Sequence, residues 1–192
     1  MSTTLPPGLH GEYEEHISGG DASEWENFDK IRLYTNAFVV QGEKLLLGHK
    51  KRGFAEGMYN GFGGKVESGE TSAEAALREL EEEAGIQAPL QHFAVLFFTL
   101  EGLESAFYID IYRAADFSGD IVETDEMRPQ WFRFPGSTAD LPDIPLERMW
   151  QTDKHWMPLL LSNRQFVGRA DYKIVDGETR PVKWWIGTTL GS

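Results

Sequence analysis

Gly63-Gly64-Lys65-Val66-Glu67-Ser68-Gly69-Glu70-Thr71, running on through Arg78-Glu79-Leu80-Glu81-Glu82-Glu83-Ala84-Gly85-Ile86, reads as a loop, a helix and a stop. The loop is glycine-rich and so admits backbone shapes that other residues resist. Thr71 followed three residues later by Glu74 is a capping box, which starts the helix. Ala73, Ala76, Leu77, Leu80 and Ala84 recur at helical spacing and predict one apolar stripe. Gly85 is a natural left-handed stop.

The opposite face carries the acids. At 100° per residue Glu79, Glu82 and Glu83 fall within roughly one third of the helix circumference. Glu79 and Glu83 are a like-charge i,i+4 pair, which works against the helix. Arg78 sits at the same spacing from Glu82 and can orient it, and Glu70 can fold back onto the first turns. Hard oxygen ligands, a glycine loop offering carbonyls and one arginine are what Mg²⁺ holding a substrate phosphate requires. Taken as a bare glutamate run, the same residues would read as a solvated acidic face.

The spacing is longer and more specific than such a run. Gly64, five residues, Glu70, seven residues, then Arg78-Glu79-Leu80-x-Glu82-Glu83-x-Gly85-Ile86 resembles the Nudix box at every specified position. The resemblance implies a Nudix hydrolase, an enzyme that splits the diphosphate linkage of a nucleoside diphosphate joined to another group. It also implies an α/β fold, the Nudix α/β/α sandwich with a mixed β-sheet.

Composition agrees. The chain has 192 residues, 41% of them hydrophobic, with 12 Phe, 6 Trp and 6 Tyr, enough for a packed core. No apolar run approaches the roughly 20 residues of a membrane span. Without cysteine there is neither a disulfide framework nor a zinc–thiolate site. The net charge of −13 repels a nucleic-acid polymer, whose binding needs many Lys/Arg–phosphate contacts. A small phosphorylated ligand bridged by divalent cations is compatible with that charge. The expected partner is therefore a small nucleotide, with no nucleic acid polymer and no membrane, and relatives suggest a monomer.

Along the chain, residues 1–29 read as an acidic, flexible N-terminal tail, and 30–192 as the Nudix domain. The tail has Glu12, Glu14, Glu15, Asp21, Glu24, Glu26 and Asp29 and no lysine or arginine before Lys30. It resembles neither a signal peptide nor a basic mitochondrial presequence. The expected compartment is the cytoplasm, with the nucleus as the alternative. Strands are predicted at 31–40, 44–50, 58–62, 93–100, 106–113, 129–134, 164–175 and 179–186, the last two joined by Asp176-Gly177. A second helix is predicted from Pro145 to about Leu161.

A closer resemblance covers about residues 31–175. Lys51-Arg52-Gly53-Phe54, Asn60-Gly61-Phe62-Gly63-Gly64, Asp125-Glu126-Met127-Arg128-Pro129 and Met149-Trp150 with Trp156-x-Pro158-Leu159-Leu160-Leu161 are similar to the MutT-type hydrolases of oxidised purine nucleoside triphosphates. Carried over by position, Glu79, Glu82 and Glu83, with the Gly64 carbonyl and Glu126, would hold Mg²⁺, or Mn²⁺ in its place. Arg78 would orient the carboxylates and Lys50 would contact the phosphate or sugar side. Thr35 and Asn60 would line the nucleoside pocket, Phe98 and Phe107 would wall it, Trp150 and Trp156 would supply aromatic surface, and Thr152 and Asp153 would face the base edge. Without the resemblance, the tryptophans and phenylalanines read as core, Asn60 as a turn residue, and Lys50 and Glu126 as surface charges.

One departure stands out. Where those hydrolases carry two adjacent aspartates, this chain has Thr152-Asp153. Two close carboxylates can share a proton; a hydroxyl cannot join such a pair. The expected activity is Mg²⁺-dependent hydrolysis of 8-oxo-dGTP, 2-hydroxy-dATP or similar nucleotides to monophosphate and pyrophosphate, with an altered base preference. The alternatives are a Nudix hydrolase of ADP-ribose or a dinucleotide polyphosphate, and a non-catalytic nucleotide-binding module.

Overall fold

The computed structural model describes residues 5–189; the first four residues of the expected tail and the last three of the chain lie outside the described residues. The elements, in order, are β1 (Tyr13–Gly20), β2 (Lys30–Gln41), β3 (Lys44–Lys50), β4 (Tyr59–Asn60), α1 (Ser72–Ala84), β5 (Gln91–Leu100), β6 (Ser105–Ala114), β7 (Met127–Arg133), α2 (Asp153–Leu161), β8 (Phe166–Val175) and β9 (Glu178–Thr189). They fall into two compact units. One comprises Tyr34–Phe93 and Asp110–Trp150; the other comprises the chain up to Leu33, Ala94–Ile109, and the chain from Gln151 on. No helix among the described residues is long and apolar enough to cross a membrane.

The first unit is built on β3. It pairs antiparallel with β7 along Lys44–Lys50, while β2 and then β4 pair along its other edge. The helix α1 packs on a core of Val39, Leu46, Phe62, Leu80, Ala84, Ile86 and Met127. Leu80 is fully buried, an apolar burial that contributes roughly 2–3 kcal/mol. The helix begins as its sequence predicts. Thr71 Oγ1 accepts from the Glu74 N–H and Glu74 accepts from the Thr71 N–H at 2.7 Å. It ends at Gly85, whose φ of 73° suits glycine and whose N–H donates to Glu81 at 2.9 Å.

The buried face of α1 differs from the predicted stripe. Ala75, Ala76, Leu80, Glu83 and Ala84 are buried, whereas Ala73 is exposed and Leu77 is 41% exposed. The helix is rotated about its axis so that Glu83 goes inside. The tertiary pairing of Glu83 with the glycine loop, described below, wins over the burial of one leucine.

The second unit contains the strand order β1-β9-β8-β5, with β5–β8 parallel and the other two pairings antiparallel, so its sheet is mixed. Asp176 and Gly177, with φ of 53° and 79°, form the β8–β9 turn. The pairing shifts register between Asp171 and Tyr172, where Pro181, which has no N–H to give a ladder, stands opposite Tyr172.

Residues 5–29 are not a loose tail. Tyr13 pairs with Thr189 and Gly20 with Lys183, and Leu9, Trp25 and Phe28 join the core of Val95, Phe97, Val167 and Trp185. The tie is Arg169, fully buried. It forms an ion pair with Asp171 at 2.9 Å, donates to the carbonyls of Pro7 and Glu26, and faces the rings of Trp25, Phe28 and Phe97. Asp171 also accepts from the Glu26 N–H at 2.7 Å and the Thr99 hydroxyl at 2.9 Å. A buried ion pair is tolerable only when its remaining donors and acceptors are met in this way. The β1 pattern was illegible in sequence because most of its side chains are exposed on both faces.

The second predicted helix is also corrected. Leu146–Arg148 is a 3₁₀ turn, Met149 is extended at φ −120° and ψ 177°, and α2 starts only at Asp153. Trp150 therefore lies on the connection and not on a helix face.

Candidate active site

The glycine loop is laid along β2. The Thr35 N–H donates to the Gly64 carbonyl at 2.9 Å, and Ala37 and Phe62 exchange hydrogen bonds. A Cβ on Gly63 would stand 2.7 Å from the Thr35 carbonyl carbon. One on Gly64 would stand 2.6 Å from Glu79 Cδ. At Gly63 the obstacle is backbone and only a hydrogen fits, so β2 closes on the loop; at Gly64 it is the Glu79 carboxylate, which a Cβ would push from its place.

Glu83, 4% exposed, accepts from the Gly63 N–H at 2.8 Å. Burial pushes its carboxyl up to about 7, against the opposing pull of that N–H and of Lys50. Burial likewise raises Glu79, with Arg78 opposing it. Arg78 grips Glu70 with two bonds, of 3.1 and 2.8 Å, and donates to Glu79 at 2.8 Å. It reaches Glu82 at 3.2 Å and the Lys65 carbonyl at 3.3 Å. Glu70 first and Glu79 second hold the guanidinium well above its ordinary range. Arg78 thus orients a set of three carboxylates, with Glu70 and Glu79 its closer partners and Glu82 the most distant.

Lys50 and Glu126 come together too. Lys50 Nζ lies 3.0 Å from Glu126 and 3.8 Å from Glu83, and Arg52 reaches Glu126 at 3.4 Å. The Lys50 hydrogen bond holds Glu126 below the usual carboxylate range. Each acid is thus engaged by a group of the protein itself, and among the described residues no three acidic or histidine side chains converge tightly enough, as they stand, to hold an ion. The donor chemistry nevertheless fits a hard divalent cation: oxygen donors around a glycine cradle, with Glu83 buried, Glu79 part-buried, and burial raising both carboxyls.

Thr35 and Asn60 belong to this unit. Thr35 Oγ1 is buried and has no hydrogen-bond partner, the single such side-chain atom among the described residues. Asn60 Oδ1 accepts from Asn36 at 2.7 Å and from the Gly61 N–H at 2.9 Å, so its amide nitrogen is the end left to donate outward. Trp150 is here as well, its ring 5.7 Å from that of Phe54. Phe54 is 63% exposed at the tip of the Lys51–Gly57 loop. Sequence reasoning used Phe54 as part of the resemblance but gave it no role; the signal was an aromatic residue set between two glycines in a basic loop.

Phe98, Phe107, Thr152, Asp153 and Trp156 lie in the other unit. Thr152 is buried and its hydroxyl bonds the Tyr172 phenol at 2.6 Å; Phe98 meets the Tyr172 ring edge-on at 5.6 Å. Burial, with the Asp153 charge next, pushes the Tyr172 phenol above its usual range. Trp156, 1% exposed, stacks on Phe166 at 5.4 Å and donates from Nε1 to Asp153 at 3.1 Å. Its expected role as a ligand surface gives way to packing and to holding Asp153.

A family model described as the NUDIX domain matches residues 30–160. The chain is 44% identical over 138 residues to an oxidized purine nucleoside triphosphate hydrolase of Danio rerio, covering 71% of this chain and 84% of that one. It is 41% identical over 149 residues to the protein of the same description from Mus musculus, covering 77% and 90%. Among solved structures, a mutator MutT protein from Bacillus halodurans superposes with a TM-score of 0.61 at 24% identity, over 81% of this chain and 97% of that one, which speaks to the fold.

Proposed function

The chain belongs to the Nudix hydrolase family, and from that premise we propose that it hydrolyses oxidised purine nucleoside triphosphates to the monophosphate and pyrophosphate, keeping damaged bases out of DNA. We take it to act as a monomer in the cytoplasm. The observation that carries the reading is the pair of carboxylates closed onto the Gly63-Gly64 cradle: buried Glu83, bonded to the Gly63 N–H, and part-buried Glu79, held by Arg78 against Gly64.

Nudix hydrolases use divalent metal ions, and here Mg²⁺, or Mn²⁺ in its place, would be held by Glu79, Glu82, Glu83, Glu126 and the second lone pair of the Gly64 carbonyl. Such an ion supplies Lewis-acid charge for the phosphates and for the attacking water. The chain's own residues do the rest by placement and electrostatics. Arg78 holds Glu79 and Glu82 in position from Glu70. Lys50, beside Glu126 at 3.0 Å, would stabilise charge on the phosphates, with Arg52 and Lys65 as further positive groups. The free hydroxyl of Thr35 and the amide nitrogen of Asn60 offer polar contacts to the nucleoside. Phe54 and Trp150 offer aromatic surface, with stacking worth about 1–3 kcal/mol per base by analogy with single-strand binders.

Base-edge recognition is assigned to Asp153. Where the resembling hydrolases carry a second aspartate before it, this chain has Thr152, whose hydroxyl bonds Tyr172 and cannot take a carboxylate's part. The two oxidised purines should therefore be handled unequally. The test is pyrophosphate release with Mg²⁺ from 8-oxo-dGTP, 2-hydroxy-dATP, dGTP and dATP, with ADP-ribose as a further substrate and Glu83→Gln as control. Turnover of one oxidised purine well above the others, lost in the control, supports the proposal. Equal efficiencies on both would sink the Asp153 assignment. Turnover of ADP-ribose alone would sink the substrate class.

A further inference from the structure

Arg148 has no part in the chemistry above. It ends the 3₁₀ turn Leu146–Arg148, two residues before Trp150. Its guanidinium nonetheless makes three contacts inside one unit. Nη2 donates to the Gly57 carbonyl at 2.9 Å and to His49 Nε2 at 2.9 Å, and the guanidinium carbon lies 5.0 Å from the centre of the Tyr59 ring. Arginine has only donors, so His49 meets it with an unprotonated Nε2. The His49 ring in turn lies 4.9 Å from Tyr59.

Gly57 closes the Lys51–Gly57 loop. Its N–H donates to the Lys50 carbonyl at 2.8 Å, and the Lys50 N–H donates to Met58 at 2.9 Å. Inside the loop Gly53, Ala55 and Gly57 take φ of 79°, 62° and 84°, and at Ala55 that conformation is disfavoured for a residue with a side chain. Phe54 at the tip is mostly exposed, and the pairs Lys51–Glu123 and Arg52–Glu126 are solvent-facing ones that add little. The base of the loop is anchored, since Lys51 donates to the Glu126 and Thr124 carbonyls, at 2.8 and 2.7 Å, and Gly57 to Lys50. Its tip has only the turn bonds from Glu56 to Gly53 and from Met58 to Ala55, at 3.2 and 3.1 Å, and Arg148 joins the loop to the segment that carries Trp150.

We propose that Arg148 is a positioning residue that latches the Lys51–Gly57 loop, so that Phe54 and Trp150 present one preformed aromatic surface to the purine. This rests on the function proposed above. A loop held in its bound shape spares each binding event the entropy of ordering it. Arg148 contacts neither the glutamates nor the Lys50 ammonium, so its effect falls on substrate binding and not on the chemical step.

The experiment compares wild type, Arg148→Ala, Arg148→Lys, Phe54→Ala and the Arg148→Ala/Phe54→Ala double variant. Two quantities are read: amide hydrogen exchange at Gly57, without nucleotide, and KM and kcat on the oxidised purine triphosphate that wild type prefers. Arg148→Ala should speed Gly57 exchange about tenfold. It should raise KM about tenfold and leave kcat within about twofold. Arg148→Lys, able to reach Gly57 but not to stack and bond together, should fall between. In the Phe54→Ala background, Arg148→Ala should add little to KM, since both act through one contact. Unchanged exchange at Gly57 overturns the latch. Faster exchange with unchanged KM, or a fall in kcat as large as the fall in kcat/KM, overturns its role in binding. If wild type turns over none of the nucleotides, the proposed function fails and takes the purine surface with it, while the exchange result still decides whether Arg148 holds the loop.

Discussion

The two helices carry site residues in opposite ways. In α1 the start and stop are satisfied within the helix: Thr71 and Glu74 cap each other, and Gly85 returns its N–H to Glu81. In α2 the N-cap residue Thr152 makes no capping bond, because its hydroxyl goes to Tyr172 on β8, and Pro158 sits inside the helix. The ends of one helix are fixed by its neighbours in sequence, and the start of the other by its neighbours in space. The first can bear a set of mutually repelling acids. The second is bound to the strand that supports it.

If that contrast is right, damage to α1 should show in chemistry and damage to α2 in stability. The largest effect is expected from Gly64→Ala, whose Cβ would force the Glu79 carboxylate from its place. A displacement of this size costs about 100-fold in rate, so kcat/KM should fall by that much with the melting temperature little changed. A simple loss of folded protein instead would erase the contrast.

Next comes Glu83→Gln, read as stability in metal-free protein. The folded carboxyl is raised from 4.5 to about 7, so burial of the ionised form opposes folding. Its contribution to stability is whole below pH 4.5 and is lost as pH rises through 7. The glutamine variant should therefore be the more stable at pH 8, by at most about 3 kcal/mol, with the difference vanishing near pH 4. Urea denaturation at both pH values measures it; an equal difference at the two would refute the burial argument.

Thr152→Val should come third. It removes a partner of the buried Tyr172 phenol and should lower stability by about 1–3 kcal/mol in denaturant unfolding. Tyr172→Phe in that background should cost little more. The smallest effect is that of Thr71→Ala, about 1 kcal/mol from the lost cap. A Thr71→Ala loss larger than that of Thr152→Val would reverse the comparison.

The same contrast explains what could be read from the residues alone. Box, cap, stop and hairpin turns are local, and all were legible. The inward rotation that buries Glu83 and exposes Leu77 depends on Gly63 across the loop. A stripe of small and large apolar residues cannot reveal it. The break between Arg148 and Asp153 was hidden because Met149 and Trp150 continue a plausible helical pattern. Strand β1 was hidden because its partner lies at the far end of the chain and its exposed acids carry no alternation. For the candidate site, the resemblance supplied Lys50 with Glu126, which the fold brings to 3.0 Å. Nothing in the spacing assigned Phe54 to Trp150.

The pairing of Tyr13 with Thr189 has a consequence for how the molecule is made. A ribosome releases the first strand long before the last, at about 5–20 residues per second. For those seconds residues 13–20 have no strand to join, and Trp25 and Phe28 have no Arg169 to cover. The run of acids from Glu12 to Asp29 then keeps an unfinished segment in solution by charge.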